Sequence, residues 1–134
     1  MAVVAKIAGR ARVAETGAWS WVMQRLTAVL VGIFISVHIW VLRFSAEATS
    51  GNPVTFESVR SRMASPWYVT LDLLLLASLV YHALNGVRAV LLDWGVGARS
   101  EKKLTGILVA LGVIMFAYGA VAIIPFVTGK PLFR

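Results

Sequence analysis

The sequence predicts an all-α integral membrane protein with three transmembrane helices, and three observations carry that prediction. Of the 134 residues, 59% are hydrophobic and only 14% are charged, with a mean hydropathy of +0.81. A soluble domain of this length needs more charge to cover its surface. Three segments, about 21–43, 67–92 and 104–128, are each apolar over the ~20 residues needed to cross ~30 Å of hydrocarbon. Trp19, Trp21, Trp40, Trp67, Tyr68 and Trp94 fall near the ends of these runs, where amphipathic rings favour the boundary between lipid and water. The whole chain, 1–134, reads as a single membrane domain.

The elements follow in order. Residues 1–17 carry Lys6, Arg10 and Arg12 without a sustained apolar run, and are expected to form a retained, partly ordered tail. The first span begins near Trp21 and ends near Arg43. The connection from Phe44 to Pro66 holds a short amphipathic helix over about 55–64, with Phe56, Val59 and Met63 on one face, expected to lie on the membrane surface. The second span runs from Trp67 to Leu92, and a short polar connection, Asp93 to Lys103, leads to the third. That third span has no ionisable residue in its interior. Gly106, Gly112, Ala117, Gly119 and Ala120 let another helix approach it closely.

The net charge of +7 does not point to nucleic acid, because the basic residues form no compact patch. They cluster between the spans and act as topology signals. Lys6, Arg10, Arg12, Arg25, Arg88, Arg99, Lys102 and Lys103 lie on one side; Arg43, Arg60, Arg62, Lys130 and Arg134 lie on the other. The bias predicts a cytoplasmic N terminus in a cell inner (cytoplasmic) membrane. The absence of Cys excludes disulfides, Cys-held iron–sulfur clusters and covalently attached haem.

Two histidines, His38 and His82, are the only ones in the chain, and both fall inside predicted spans. Imidazole in hydrocarbon is costly unless it is ligated or hydrogen-bonded to a neighbouring helix, so each is a functional candidate. At 100° per residue Ser78, His82, Gly86, Ala89 and Asp93 share one face. Those small side chains are expected to leave room for a flat porphyrin, with neutral imidazole as axial ligand to the iron. Arg25 and Arg88 are candidates to neutralise haem propionates, or else they snorkel to the interface.

The stretch Tyr81-His82-Ala83-Leu84-Asn85-Gly86-Val87-Arg88, followed by Asp93-Trp94-Gly95, resembles the second helix of the membrane-anchor subunits of succinate dehydrogenase and fumarate reductase. Trp21 to Leu30 resembles the start of that family's first helix, and Pro53 to Pro66 the linker before its second. The likeness to the smaller, SdhD-type anchor is the greater, since Gln24-Arg25-Leu26-Thr27 stands where the other has His-Arg-Ser/Thr-Gly. The resemblance implies half of a heterodimeric helix bundle, completed by a sister membrane-anchor subunit. It further implies a cytoplasmic flavoprotein subunit and an iron–sulfur subunit as partners, bound haem b, and a quinone as substrate at the membrane face. Asp93 and Trp94 match the family's acidic–aromatic pair at the quinone site, although Trp94 replaces the usual Tyr and offers only an indole N–H. Gln24 and Thr27 are expected to join them there.

His38 raises the question of a second haem. Counted from the inner helix ends, His38 lies ~25 Å deep and His82 ~15 Å deep, a mismatch of ~10 Å. One shared iron does not fit that offset, whereas two haems stacked across the membrane do, with Arg43 pairing with the outer propionates. The other reading makes His38 a hydrogen-bonding residue of the bundle. Rival readings of the whole chain are a haem-free anchor, a packing or assembly subunit of an unrelated respiratory complex, or a transporter fragment, the last weakened because Asp72 stands alone near the outer end with no chain of carboxylates. The Lys/Arg bias is tested by introducing single cysteines: an external reagent should label position 50 and spare position 100, and the reverse pattern would invert the topology.

Overall fold

The computed structural model describes residues 2–44, 55–95 and 101–129, with side chains from residue 17 onward. Arg99, Lys130, Arg134 and the labelling positions 50 and 100 lie outside the described residues. The described residues form four helices: α1 (Ala2–Phe44), α2 (Phe56–Met63), α3 (Pro66–Asp93) and α4 (Glu101–Thr128). Three of them carry segments long and apolar enough to cross a membrane, Gly17–Phe44, Pro66–Asp93 and Glu101–Thr128. In hydrocarbon every backbone N–H and C=O must be satisfied inside the chain, and an unbroken helix does so.

The first difference from expectation is at the N terminus. The tail is helical and continues α1 without a break from Ala2. Residues 2–16 contain five alanines and no proline, and that composition favours helix over coil.

α3 is the central element, with both α1 and α4 packed against it. The distribution of polarity is inverted relative to a soluble bundle. Among the described residues the buried apolar side chains are Leu71 and Val80, while Thr27, Arg62 and Ser78 are buried polar ones. Most large apolar side chains of the spans face outward, where lipid solvates them. Association of the helices therefore rests on close packing and on hydrogen bonds between them, because lipid tails are as apolar as leucine.

The α3–α4 contact shows the packing part. A Cβ at Gly112 would lie 2.9 Å from Leu84 Cδ1, and one at Gly119 would lie 2.6 Å from Leu76 Cδ2. These two glycines receive leucine side chains of α3, whereas Gly106 faces open space.

α2 starts with reciprocal capping: Ser58 N donates to Thr55 Oγ1 at 3.3 Å, and Thr55 N donates to Ser58 Oγ at 3.0 Å. The helix does more than lie on the surface. The Phe56 ring meets the Phe126 ring of α4 at 4.9 Å between centroids, and Arg62 turns inward and is buried.

Leucine at position 119 should overpack the α3–α4 contact and destabilise it by about 1–3 kcal/mol, while leucine at 106 should be tolerated. Thermal unfolding in detergent should show the ordering Gly119→Leu below Gly106→Leu, with Gly106→Leu close to the parent protein.

Candidate functional site

The α1–α3 interface is a seam of polar side chains inside the membrane span. At its first level Ser20 Oγ donates to Asn85 Oδ1 at 2.7 Å. Asn85 Nδ2 donates to Gln24 Oε1 at 2.7 Å and to the Ser20 carbonyl at 3.2 Å. Gln24 Nε2 in turn donates to the His82 carbonyl at 3.2 Å. The network links two antiparallel helices through groups that hydrocarbon alone would leave unsatisfied.

His82 sits one step further along. Thr27 Oγ1 lies 2.7 Å from the Met23 carbonyl, 3.3 Å from the Gln24 carbonyl and 3.3 Å from His82 Nδ1. A hydroxyl has one proton, and the short contact to Met23 takes it. Toward the imidazole Thr27 therefore accepts, so Nδ1 carries the ring proton and Nε2 holds a lone pair. The only described contact of that nitrogen is Gln24 Nε2 at 3.5 Å, too long for a strong hydrogen bond.

His38 repeats the pattern with a stronger acceptor. Its Nδ1 lies 2.7 Å from Asp72 Oδ1 on α3, with the two side chains one-third and one-sixth exposed. The carboxylate accepts from Nδ1–H and again leaves Nε2 as the nitrogen with a lone pair. Asp72 is thus the partner of His38. A cavity of about 40 Å³ adjoins the pair, lined by Val59, Arg62 and Met63 of α2 together with Tyr68.

The two imidazoles are further apart along the bundle than counting from the helix ends indicates. His82 is level with Thr27, and His38 with Asp72, which separates them by ten or eleven residues, about 15–17 Å. The expected offset of ~10 Å treated Trp21 and Leu92 as level. They are not: Ser20 is opposite Asn85, seven residues short of Leu92.

The structure places the other expected site residues as follows. α1 packs against part of the small-residue face around His82, at Ser78, which is buried, and at Gly86, where a Cβ would lie 3.2 Å from Gln24 Nε2, while Ala89 and Asp93 are exposed. Gln24 and Thr27 serve His82 and Asn85, and are not gathered with Asp93 and Trp94, which lie exposed at the C-terminal end of α3, eleven residues or about 16 Å beyond His82. Arg88 faces α4, where its Nη2 pairs with Glu101 Oε1 and its Nε donates to Thr105 Oγ1 at 3.0 Å. Arg25 lies over the Trp21 ring at 5.0 Å, and Arg43 is exposed at the end of α1. On this flank of α3 a groove of about 830 Å³ opens toward α4, largely apolar, with Ser20, Asn85, Arg88 and Thr105 as its polar members.

Sequence reasoning missed Ser20, Asn85, Asp72, Glu101 and Arg62. A signal existed for Asp72, the one acid inside a span, and for Asn85, three residues from His82 on a neighbouring helical position. Nothing in the sequence marks which face of α1 they meet.

The donors suit an axial haem ligand. Each histidine offers a neutral Nε2 with its other nitrogen held, the arrangement usual for ligating imidazoles. Among the described residues no three His, Cys, Asp or Glu side chains converge.

Comparison with known proteins gives the same direction. The sequence profile of the family described as succinate dehydrogenase/fumarate reductase transmembrane subunit matches residues 8–124. A succinate dehydrogenase hydrophobic membrane anchor subunit of Archaeoglobus fulgidus is 30% identical over 100 residues, covering 75% of this chain and 82% of its own. Its counterpart in Halobacterium salinarum is 36% identical over 115 residues, covering 79% and 85%. The succinate dehydrogenase cytochrome b558 subunit of Bacillus subtilis is 29% identical over 111 residues, covering 81% of this chain but only 54% of the longer relative. With three apolar helices, two intramembrane histidines and a profile match over most of its length, the chain belongs to the succinate dehydrogenase/fumarate reductase transmembrane subunit family.

Proposed function

We propose that this chain is the cytochrome b anchor of a succinate:quinone oxidoreductase or fumarate reductase, binding haem b through His82 and His38 and contributing to a quinone site. The observation that carries the reading is the matched state of the two imidazoles, each with Nδ1 held by an acceptor on the facing helix and Nε2 left as a ligand. The cytochrome b558 relative supports haem in this family. Bound haem would supply one-electron storage between the iron–sulfur subunit and the quinone. A sister anchor would complete each iron's axial pair, since this chain has only two histidines. The separation of about 15–17 Å between their levels supports a reading with two haems, one per histidine. Arg25 and Arg43 are the propionate partners in this reading; Arg88 is committed to Glu101.

The quinone site lies at the end of α3, where Asp93 and Trp94 are exposed to an incoming subunit. Trp94 donates its indole N–H to a quinone oxygen, and Asp93 relays protons during reduction. That end carries the cytoplasmic Lys/Arg excess, so the iron–sulfur and flavoprotein subunits dock there, with lipid around the remaining faces.

A haem-free anchor is the second reading, and one observation favours it: Gln24 Nε2 lies 3.5 Å from His82 Nε2, the nitrogen that would hold the iron. The visible spectrum separates the two. The purified complex should hold two haems per copy of this chain. His82→Ala should remove or convert to high spin the inner one, and His38→Ala the outer one, each leaving the other spectrally intact. A colourless complex with full subunit content would establish the haem-free reading.

Asp93→Asn and Trp94→Phe should lower quinone-coupled turnover much more than succinate oxidation by an artificial acceptor. Equal losses in both assays would indicate damage to assembly and remove the quinone assignment.

A further inference from the structure

His38 and His82 differ in what holds Nδ1. For His82 it is the hydroxyl of Thr27, a neutral acceptor at 3.3 Å. For His38 it is the carboxylate of Asp72, a charged acceptor at 2.7 Å. Hydrogen bonds to ionised acceptors are shorter and roughly twice as strong as those between neutral groups. We infer that Asp72 is a positioning residue for the outer haem: it fixes the ring of His38 and, through Nδ1–H, gives its Nε2 anionic donor character. This rests on the reading of His38 as a haem ligand.

Three observations support the assignment. The carboxylate belongs to the facing helix, so the bond sets the orientation of the imidazole relative to the whole bundle. A lone acid inside a span is costly unless it has a partner and a use, and in this structure that partner is the imidazole. α2 lies beside the pair: Val59, Arg62 and Met63 line the cavity next to it, and the buried Arg62 guanidinium brings a cation to that side. The pair is part-buried, with Asp72 one-sixth exposed, and in such surroundings a charged acceptor acts more strongly on its partner than it would in water.

The physical consequence has a definite sign. A more basic imidazole stabilises ferric over ferrous iron, because the oxidised metal carries the extra positive charge. Hydrogen bonding to the axial ligand is one of the levers by which a protein tunes haem potential. Removing the charge of Asp72 while keeping an acceptor should therefore raise the potential of one haem. Removing the acceptor altogether should free the ring to rotate and weaken ligation, by about 10- to 100-fold on the usual scale for outer partners of metal-bound histidines.

The experiment uses the intact complex purified in detergent, with the His82-bound haem as an internal reference. Spectrally resolved redox titration and haem-to-protein ratio are measured for the parent, Asp72→Asn, Asp72→Ala and Asp72→Glu. The expected result is an upward shift of the outer haem alone in D72N, its partial loss in D72A, and recovery toward the parent in D72E. Unchanged potential and content in D72N and D72A would overturn the assignment and leave Asp72 a helix-pairing residue, with His38 still a ligand. Equal shifts in both haems would overturn it as well, since they would report a general disturbance. A parent complex with a single haem that survives His38→Ala would remove the outer-haem reading itself, and this inference with it.

Discussion

Hydrocarbon cannot hydrogen-bond, and nearly every feature of this chain answers that constraint. The backbone is helical from one membrane face to the other because no other open arrangement satisfies its polar groups there. The side chains obey the same rule between helices. Ser20, Gln24, Thr27 and His38 on α1 meet Asn85, His82 and Asp72 on α3, and the apolar residues turn outward to lipid. α4 joins by a different route, with Leu76 and Leu84 lodged at Gly119 and Gly112 and with Arg88 bonded to Glu101 and Thr105. Polar pairing organises one side of α3, and shape organises the other.

The functional chemistry grows out of that seam. An imidazole has two nitrogens, and the structure uses one of each to hold the ring in place. Thr27 can accept from His82 only because its own proton goes to the Met23 carbonyl. The tautomer is thus set by the hydrogen-bonding valence of a threonine within its own helix. Gln24 has a similar supporting part: its amide bridges Asn85 and the His82 carbonyl, fixing the backbone from which the ring projects. Gln24 and Thr27, which resemble parts of a quinone pocket in sequence, form in the fold the frame around an imidazole.

The spans were legible in the sequence because hydropathy and length are properties of single segments. The runs read as 21–43, 67–92 and 104–128 appear as 17–44, 66–93 and 101–128. Both histidines were also legible, since imidazole is conspicuous in an apolar run. What the sequence withheld was relational. Helical periodicity groups Ser78, His82 and Gly86 on one face, but it carries no information about what faces them; α1 does, with Gln24 beside Gly86. Depth failed for the same reason. Counting from Trp21 and Leu92 presumes that both mark one plane, and the Ser20–Asn85 bond shows an offset of two helical turns. Arg88 could not be assigned to Glu101 because thirteen residues and a connection separate them.

The polar seam has a consequence for how such a chain can change over generations. Its partners differ in chemistry from level to level: amide with hydroxyl, amide with amide, hydroxyl with imidazole, imidazole with carboxylate. Sliding α1 along α3 by one turn, about 5.4 Å, would bring each group opposite the wrong neighbour at every level simultaneously. The seam therefore works like a keyed joint with a single seating. A histidine cannot migrate by one turn through a lone substitution, because its partner on the other helix stays behind. Lineages that keep this joint are held to these two imidazole depths, and a new depth would require paired replacements on both helices.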